Sequence, residues 1–169
     1  MFAVKKQNPL SFRGCSAISN ISEDEIFCDF QITETMIYDA ITNTVREKDE
    51  LELLSDAKIK KIDELKIACK AQIESGFLSN ALGTDHTYDS APPQDQTNLL
   101  GAKIAGVDMN FTCTDNAGVK WERPHTAAQI AQVYVDGMVH IQTAKARFYA
   151  RVTSVQAATT PLEIEMVVW

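Results

Sequence analysis

Apolar residues recur every three or four positions in two long stretches of the chain, a pattern that predicts two amphipathic helices. In the first stretch, residues 49–75, the repeated positions are Leu54, Ile59, Ile62, Leu65, Cys69 and Ile73. In the second, residues 126–158, they are Ile130, Val133, Gly137, Ile141, Ala144, Phe148, Val152 and Val155. At 1.5 Å per residue the second helix forms a rod on the order of 50 Å. Its stripe either packs on the first helix or joins a helical oligomer.

Local signals set where these helices begin and end. Thr126 with Gln129 three residues later is a capping box, which starts the long helix. Gly76 can end the first helix, and Gly106 can end a shorter helix over residues 94–105 that follows two prolines. The apolar residues expected to supply the buried face of this shorter helix are Leu99, Leu100, Ala102 and Ile104. Thr160 and Pro161 start a last short turn.

In the segments that we predict as strands, apolar residues recur at every second position. Met109, Phe111 and Cys113 alternate with polar residues, and turn residues follow at 115–118, which predicts a hairpin over 108–123 with Phe111 and Trp121 covering the core. A second hairpin is expected over 77–90. Residues 36–47 favour a hairpin over a short helix.

These elements predict an α+β fold with two modules. Residues 1–34 contain Pro9, Gly14 and short apolar runs, which favour strands and loops over helix. We therefore expect a small β-rich module over 1–48. A helix-rich module over 49–169 should hold the two long helices as an antiparallel pair with the two hairpins at one end or side.

Composition and charge exclude several classes of protein. The 169 residues, 45% hydrophobic, suffice for one core and a small satellite. The net charge is -7, and the basic residues form no cluster larger than the pairs Lys5-Lys6 and Lys60-Lys61. Nucleic acid is therefore not an expected partner. No apolar run suits a signal peptide or a membrane span, which indicates folding in a cytosol without a membrane partner. Four cysteines without a close pair indicate reduced thiols.

The sequence contains one cluster that could imitate a metal or acid-base site. His86 lies near Asp85, Asp89 and Asp95, but Asp residues beside turns and helix starts normally cap backbone N–H groups. No nucleophile elbow, phosphate-binding glycine loop, dinucleotide fingerprint or zinc-binding histidine pair occurs. We therefore expect no enzyme, no cofactor and no metal.

Four aromatic residues are the candidates for contacts with a partner or for closing a core, namely Phe12, Tyr38, Trp121 and Trp169. A large aromatic side chain near a chain end can cover the bottom of a core or dock on a neighbouring subunit. For Trp169 we favour closing the core, because aromatic side chains bring a large burial to a small domain.

Residues 58–169 resemble a domain of unknown function found at the C-termini of tail-fibre, tail-fibre-assembly and baseplate-associated proteins of tailed bacteriophages. The matching elements are the Lys- and Ile-rich helix into Ile73-Glu74-Ser75-Gly76-Phe77, then Ser79-Asn80-Ala81-Leu82-Gly83, Tyr88-Asp89-Ser90, Asp95-Gln96-Thr97-Asn98-Leu99, Trp121, His125-Thr126-Ala127-Ala128-Gln129, and Ala157-Ala158-Thr159-Thr160 leading to Trp169. The N-terminal part, with Phe12 and Tyr38, is more loosely similar to the head that often precedes this domain.

The resemblance implies a structural virion protein, made in the host cytoplasm and built into the tail. It would be a homo-oligomer that attaches to other tail or fibre proteins. A tail-fibre assembly chaperone absent from the particle is the alternative. Two further functions stay open. One is a receptor-binding adhesin, and the other is a glycan hydrolase that uses Asp85, Asp89 and Asp95 as acid and base.

Overall fold

The computed structural model describes residues 2–5, 8–14, 23, 25–28 and 33–169, and the side chains of residues 23, 25, 26, 28 and 33–169. The fold is α+β, as predicted, with strands in the N-terminal part and helices dominating the C-terminal part. The chain forms two compact units, Met1–Ala57 and Lys58–Trp169. The change from strand to helix falls near the predicted boundary at 48/49, whereas the two units divide inside the first helix.

The described residues of the first unit form five strands in two antiparallel sheets. The three-stranded sheet has the order β2-β1-β3, and a separate hairpin pairs β4 with β5. The bounds are β1 Phe2–Lys5, β2 Asn8–Gly14, β3 Glu25–Cys28, β4 Met36–Asp39 and β5 Thr44–Glu47. The predicted hairpin over 36–47 is therefore confirmed, and the short helix considered for the same residues is wrong.

The β4–β5 turn is held by its own side chains. Asp39 Oδ1 accepts the backbone N–H of Ile41 at 2.9 Å, which is the local bond that aspartate favours in turns. Asn43 takes a left-handed conformation with φ of 54°, and its Oδ1 accepts the Tyr38 hydroxyl at 2.9 Å. The turn presents Ile41 at its tip with 97% of its surface exposed.

A charged network joins this hairpin to the start of helix α1, Glu50–Glu74. Arg46 donates two hydrogen bonds to the Glu52 carboxylate, at 2.7 and 2.8 Å, and lies 3.6 Å from Asp39. Asp49 and Glu52 accept each other's backbone N–H groups at 2.8 and 2.9 Å, a reciprocal cap of the helix. The hydrogen bonds from Arg46, together with the one from the Asp49 N–H, lower the pKa of Glu52 from 4.5 to about 2.

We predict that removing Arg46 returns the pKa of Glu52 toward its ordinary value. Because the folded-state pKa is depressed, the stabilisation by the Glu52 contacts is complete above about pH 4.5 and is lost as the pH falls toward about 2. An NMR titration of the Glu52 carboxyl in Arg46→Gln should give a midpoint above that of the unaltered protein but below 4.5, because the hydrogen bond from the Asp49 N–H remains. Lys60→Gln, an equal loss of charge elsewhere on α1, should leave the titration as it was. An ordinary Glu52 midpoint in the unaltered protein would contradict the network.

The second unit combines helices with one four-stranded sheet. Its elements after α1 are β6 Phe77–Ser79, β7 His86–Tyr88, α2 Gln94–Ala105, β8 Met109–Thr114, β9 Lys120–His125, α3 Ala127–Ala157 and α4 Pro161–Glu165. Both predicted hairpins are present. They are not separate, because Thr87 pairs with Thr114 and joins them as a single antiparallel sheet in the order β6-β7-β8-β9.

The helix ends follow the signals read from the sequence. Thr126 Oγ1 accepts the Gln129 N–H and the Gln129 side chain returns to the Thr126 N–H, so the predicted capping box starts α3. Gly106 ends α2 in the left-handed conformation, with φ of 63°. Helix α4 has a capping box that we did not predict, formed by Thr160 and Glu163.

Helices α1 and α3 form the predicted antiparallel pair. Lys58 donates to the carbonyl of Gln156 at 2.9 Å near one end of the pair, and the Cys69 thiol lies 3.7 Å from the carbonyl oxygen of Ala144 farther along. Of the predicted α1 stripe, Leu65 and Cys69 are buried. The prediction for Ile59 is wrong. Its neighbour Lys58 contacts α3, and successive side chains of a helix point about 100° apart, so Ile59 points away from α3 and is 58% exposed.

The core of the second unit lies where the sheet and α2 meet α3. Its buried members come one each from β6, β7, α2, β8 and α3, namely Phe77, Tyr88, Leu99, Cys113 and Val133. In α2, Leu99 and Ala102 are buried, one turn apart. Leu100 and Ile104 are exposed, contrary to expectation, because α2 presents a single narrow row of side chains to α3.

The Phe77 ring packs directly on Gly137 of α3. A Cβ at Gly137 would lie 2.8 Å from the tip of that ring, closer than carbon atoms approach without displacement. The ring is buried and stacked on Tyr88 with centroids 5.7 Å apart, so moving it away from Gly137 would disturb that stacking. Glycine at 137 therefore allows the sheet to approach the helix.

We predict that Gly137→Ala and Gly101→Ala change stability in opposite directions. Alanine is favoured over glycine inside a helix by about 1 kcal/mol, and at Gly101 nothing lies within 4 Å of the added Cβ. At Gly137 overpacking against Phe77 costs about 1–3 kcal/mol and outweighs that gain. Chemical denaturation should show Gly101→Ala stabilised and Gly137→Ala destabilised. A stabilised Gly137→Ala protein would contradict the close packing.

Candidate interaction surfaces

The structure disperses the cluster of His86 and its neighbouring aspartates among structural contacts. The Asp89 carboxylate forms an ion pair with Lys120, and Asp95 accepts the backbone N–H of Ala91 at 3.0 Å. The Nδ1 atom of His86 lies 2.9 Å from the carbonyl oxygen of Thr84. Within the described part of the chain, no group of three His, Cys, Asp or Glu residues could hold a metal ion.

Ser90 bonds the end of α1. Its hydroxyl accepts the Gly76 N–H at 3.1 Å and donates to the carbonyl of Ile73. Gly76 has φ of 86°, and a Cβ there would lie 2.8 Å from the carbonyl oxygen of Tyr88. The loop after α1 is thus fixed to β7 by backbone and hydroxyl groups.

A buried polar pair that the sequence did not reveal links β7 to β9. The Tyr88 hydroxyl lies 2.8 Å from Nε2 of His125, and Nδ1 of His125 lies 2.8 Å from the carbonyl oxygen of Arg123. The carbonyl can only accept, so Nδ1 donates to it and Nε2 is the atom that pairs with the Tyr88 hydroxyl. Burial raises the pKa of Tyr88 and of the nearby Cys113 thiol. The Tyr88 hydroxyl and the Cys113 thiol are therefore both protonated at neutral pH. The hydrogen-bonded pair of Tyr88 and His125 ties strand β7 to strand β9.

Trp169 packs into the α1–α3 pair. It borders the buried cluster of Leu65, Val155 and Val167. Its Nε1–H donates to Gln72 Oε1 at 3.1 Å, and Arg147 lies over the ring, 5.6 Å from its centroid. The last residue of the sequence therefore closes a core, which was the role favoured for it.

Trp121 lies on the surface. Its backbone pairs with Cys113, so the two side chains share a face of the sheet, as do Phe111 and Arg123. Cys113 is buried and Phe111 packs on the core, but Trp121 is 70% exposed because β9 is the edge strand. The expectation that it covers the core is wrong, and its contact with a partner stays a prediction.

The two candidates of the first unit are placed differently. Tyr38 is half-buried, packs against Ile26 and Cys28, and closes the β4–β5 turn through its hydroxyl. Phe12 lies in strand β2, and its side chain is outside the described residues. A partner contact by either residue stays a prediction.

The cysteines agree with the expectation of reduced thiols as far as they are described. Cys69 and Cys113 are free thiols in the interior, and burial raises the pKa of both. Cys28 is also buried. Cys15 lies outside the described residues.

Helix α3 carries a second face that the search for a single apolar stripe missed. Opposite its buried face lies a row of uncharged, mostly exposed side chains, which we call the outer face: Val135, Met138, Val139, Gln142, Thr143 and Ala146. Val139 is 59% exposed. The positions 135, 139, 142 and 146 have the alternating spacing of four and three that a helix uses to contact another helix. The absence of charge at these positions was the signal in the sequence.

A cavity of about 170 Å³ lies beside the outer face, between α2 and α3. Met138 lines it together with Leu100, which is exposed on α2. Ile104, one turn farther along α2, is also exposed. The apolar surface of α3 is therefore continuous with apolar side chains of α2, and the combined area is a candidate contact surface.

These features describe an α+β protein whose candidate functional sites are surfaces for contact with other proteins. The chain belongs to the family defined by the domain of unknown function DUF4376, whose model matches residues 56–168. No curated protein and no solved structure matches the chain. In the described residues, no helix is long and apolar enough to cross a membrane.

We predict that the two tryptophans differ sharply in their effect on stability. Trp169→Ala removes a packed ring and its bond to Gln72, and should lower the free energy of unfolding by about 2–3 kcal/mol, below the range for a fully buried tryptophan. Trp121→Ala removes an exposed ring and should change it by less than about 0.5 kcal/mol. Urea unfolding of both variants measures the difference. Equal losses would contradict the two placements.

Proposed function

We propose that the protein is a structural component of a bacteriophage tail, a fibre- or baseplate-associated part that self-associates and attaches other tail proteins. The resemblance of residues 58–169 to domains of tail proteins supports the phage context. The outer face of α3 supports assembly, and it is the observation that carries the proposal. In this reading the protein is made in the host cytoplasm and resides in the virion.

Charge favours contact between copies along the outer face. The chain is 23% charged with a net charge of -7, so random surface contacts between copies carry a repulsive charge. The outer face contains no charged side chain over more than three turns of α3. Two copies can therefore meet along this face without desolvating a charge, and the cost that opposes burial of ion pairs is avoided.

The geometry of the outer face also suits a helix from another copy. Small and β-branched side chains, such as Ala146 and Val139, let two helices approach closely. The opposite side of α3 is packed in the core of its own unit through Val133 and Ala144, both with no exposed surface. The helix is thus held rigidly while its outer face is presented to a neighbour.

We predict that Val135→Glu with Val139→Glu prevents self-association. Two carboxylates on the outer face of each copy would have to be desolvated and brought together, which opposes assembly. Light scattering should give an oligomer mass for the unaltered protein and a monomer mass for the variant. Val119→Glu, an equally exposed valine in the β8–β9 turn, is the matched control and should leave the oligomer intact.

The location of the protein tests the structural role against the chaperone alternative. Mass spectrometry of purified particles should find the chain at a fixed ratio to other tail proteins. A monomer in solution that is also missing from the particles would overturn the proposal. An oligomer missing from the particles would favour the assembly chaperone.

A further inference from the structure

The antiparallel pair of α1 and α3 has a groove on each side, and the chain itself fills one of them. On that side Trp169 bonds to Gln72, and Arg147 covers its ring. Gln72 and Lys66 lie on opposite sides of Cys69 when helix positions are placed about 100° apart. The second groove therefore lies on the Lys66 side of the pair.

The second groove is open, with a volume of about 400 Å³. We call it the open groove. Its apolar lining comes from Cys69 and Ile73 of α1, from Phe148 and Tyr149 of α3, and from Pro92. Cys69 and Ile73 are four residues apart and share a face of α1, and Phe148 and Tyr149 border the space from α3. The space exceeds that needed by one large apolar side chain.

Three lysines stand at the rim of the open groove, Lys66 and Lys70 from α1 and Lys145 from α3, and among the described residues Glu74 of α1 is the one acidic residue that lines it. Lys70 lies 3.8 Å from Glu74, but Lys66 and Lys145 form no ion pair with any described residue. All three are exposed. An apolar floor edged by three lysines, of which Lys66 and Lys145 have no ion pair with a described residue, favours a ligand with an apolar side chain and nearby carboxylates.

The filled groove shows what kind of segment fits beside this helix pair. The C-terminal segment brings apolar Val167 and Trp169 to the helices. There an aromatic ring lies beneath a cation of α3, a favourable contact. Lys145 also lies on α3, two residues before Arg147, and borders the open groove.

We propose that the open groove binds an acidic peptide segment of a partner protein, which inserts an aromatic or aliphatic side chain against Phe148 and Cys69. Carboxylates of the segment pair with Lys66 and Lys145 at the rim. The assignment rests on the proposed function as an attachment protein and specifies the chemistry of one attachment. The outer face of α3 serves contact between copies, and the open groove serves the partner.

The test uses the full chain and two synthetic peptides with a fluorescent label. Both carry one tryptophan and one leucine a helical turn apart, and they differ only in having glutamate or lysine at the other positions. Fluorescence anisotropy should show binding of the glutamate peptide and no binding of the lysine peptide. Added salt should weaken the binding, because exposed charge pairs are screened.

Charge reversal locates the binding. Lys66→Glu and Lys145→Glu together should weaken binding of the glutamate peptide by about tenfold or more. Lys60→Glu, the same change at an exposed position of α1 that does not line the groove, is the matched control. Thermal unfolding should be similar for all variants, since none of the three lysines is buried.

Three results would overturn the assignment. The first is equal affinity for the glutamate and the lysine peptide. The second is that Lys60→Glu weakens binding of the glutamate peptide as much as the two groove substitutions do. The third is a protein dimer that Lys145→Glu alone dissociates, because the groove would then bind a second copy. Failure of peptide binding while the protein still assembles through the outer face and enters particles would remove the groove assignment only. Loss of the oligomer in solution and of the particle association would remove the proposed function itself.

Discussion

Burial of one face of α3 organises the whole of the second unit. The helix is too long for a single neighbour to cover, so different elements share its length: the sheet and α2 near its start, and α1 and the C-terminal segment toward its end. Small residues stand where a neighbour must come close, with Gly137 beneath Phe77 and Ala144 beside Cys69. Without this shared face the short strands would be marginal, because isolated hairpins are barely stable in water.

The parts of the fold that depend on local chemistry could be predicted from the sequence. The capping box of Thr126 and Gln129, the glycine at 106 and the alternation before the turn at 115–118 act within a few residues, and each gave the right element. Pairing between distant segments could not be read in this way. Thr87 and Thr114 join the two hairpins into one sheet, and neither residue carries a signal for its partner.

Side-chain exposure was harder to predict than secondary structure, and the candidate surfaces show why. Trp121 is apolar and faces the same way as a buried cysteine, yet it is exposed because no element extends beyond the edge strand. Ile59 and Ile104 fail similarly, since each stands to one side of the row that meets α3. Periodicity assigns a face to a residue, but burial requires another element opposite that face.

The contact between Phe77 and Gly137 has a consequence for how related sequences can diverge. The two positions share one fixed volume, although a sheet strand contributes one and a long helix the other. A larger residue at 137 is best accommodated together with a smaller one at 77, because the two side chains compete for the same space. Drift at these positions is therefore coupled, and homologues should exchange volume between strand and helix while keeping the total constant.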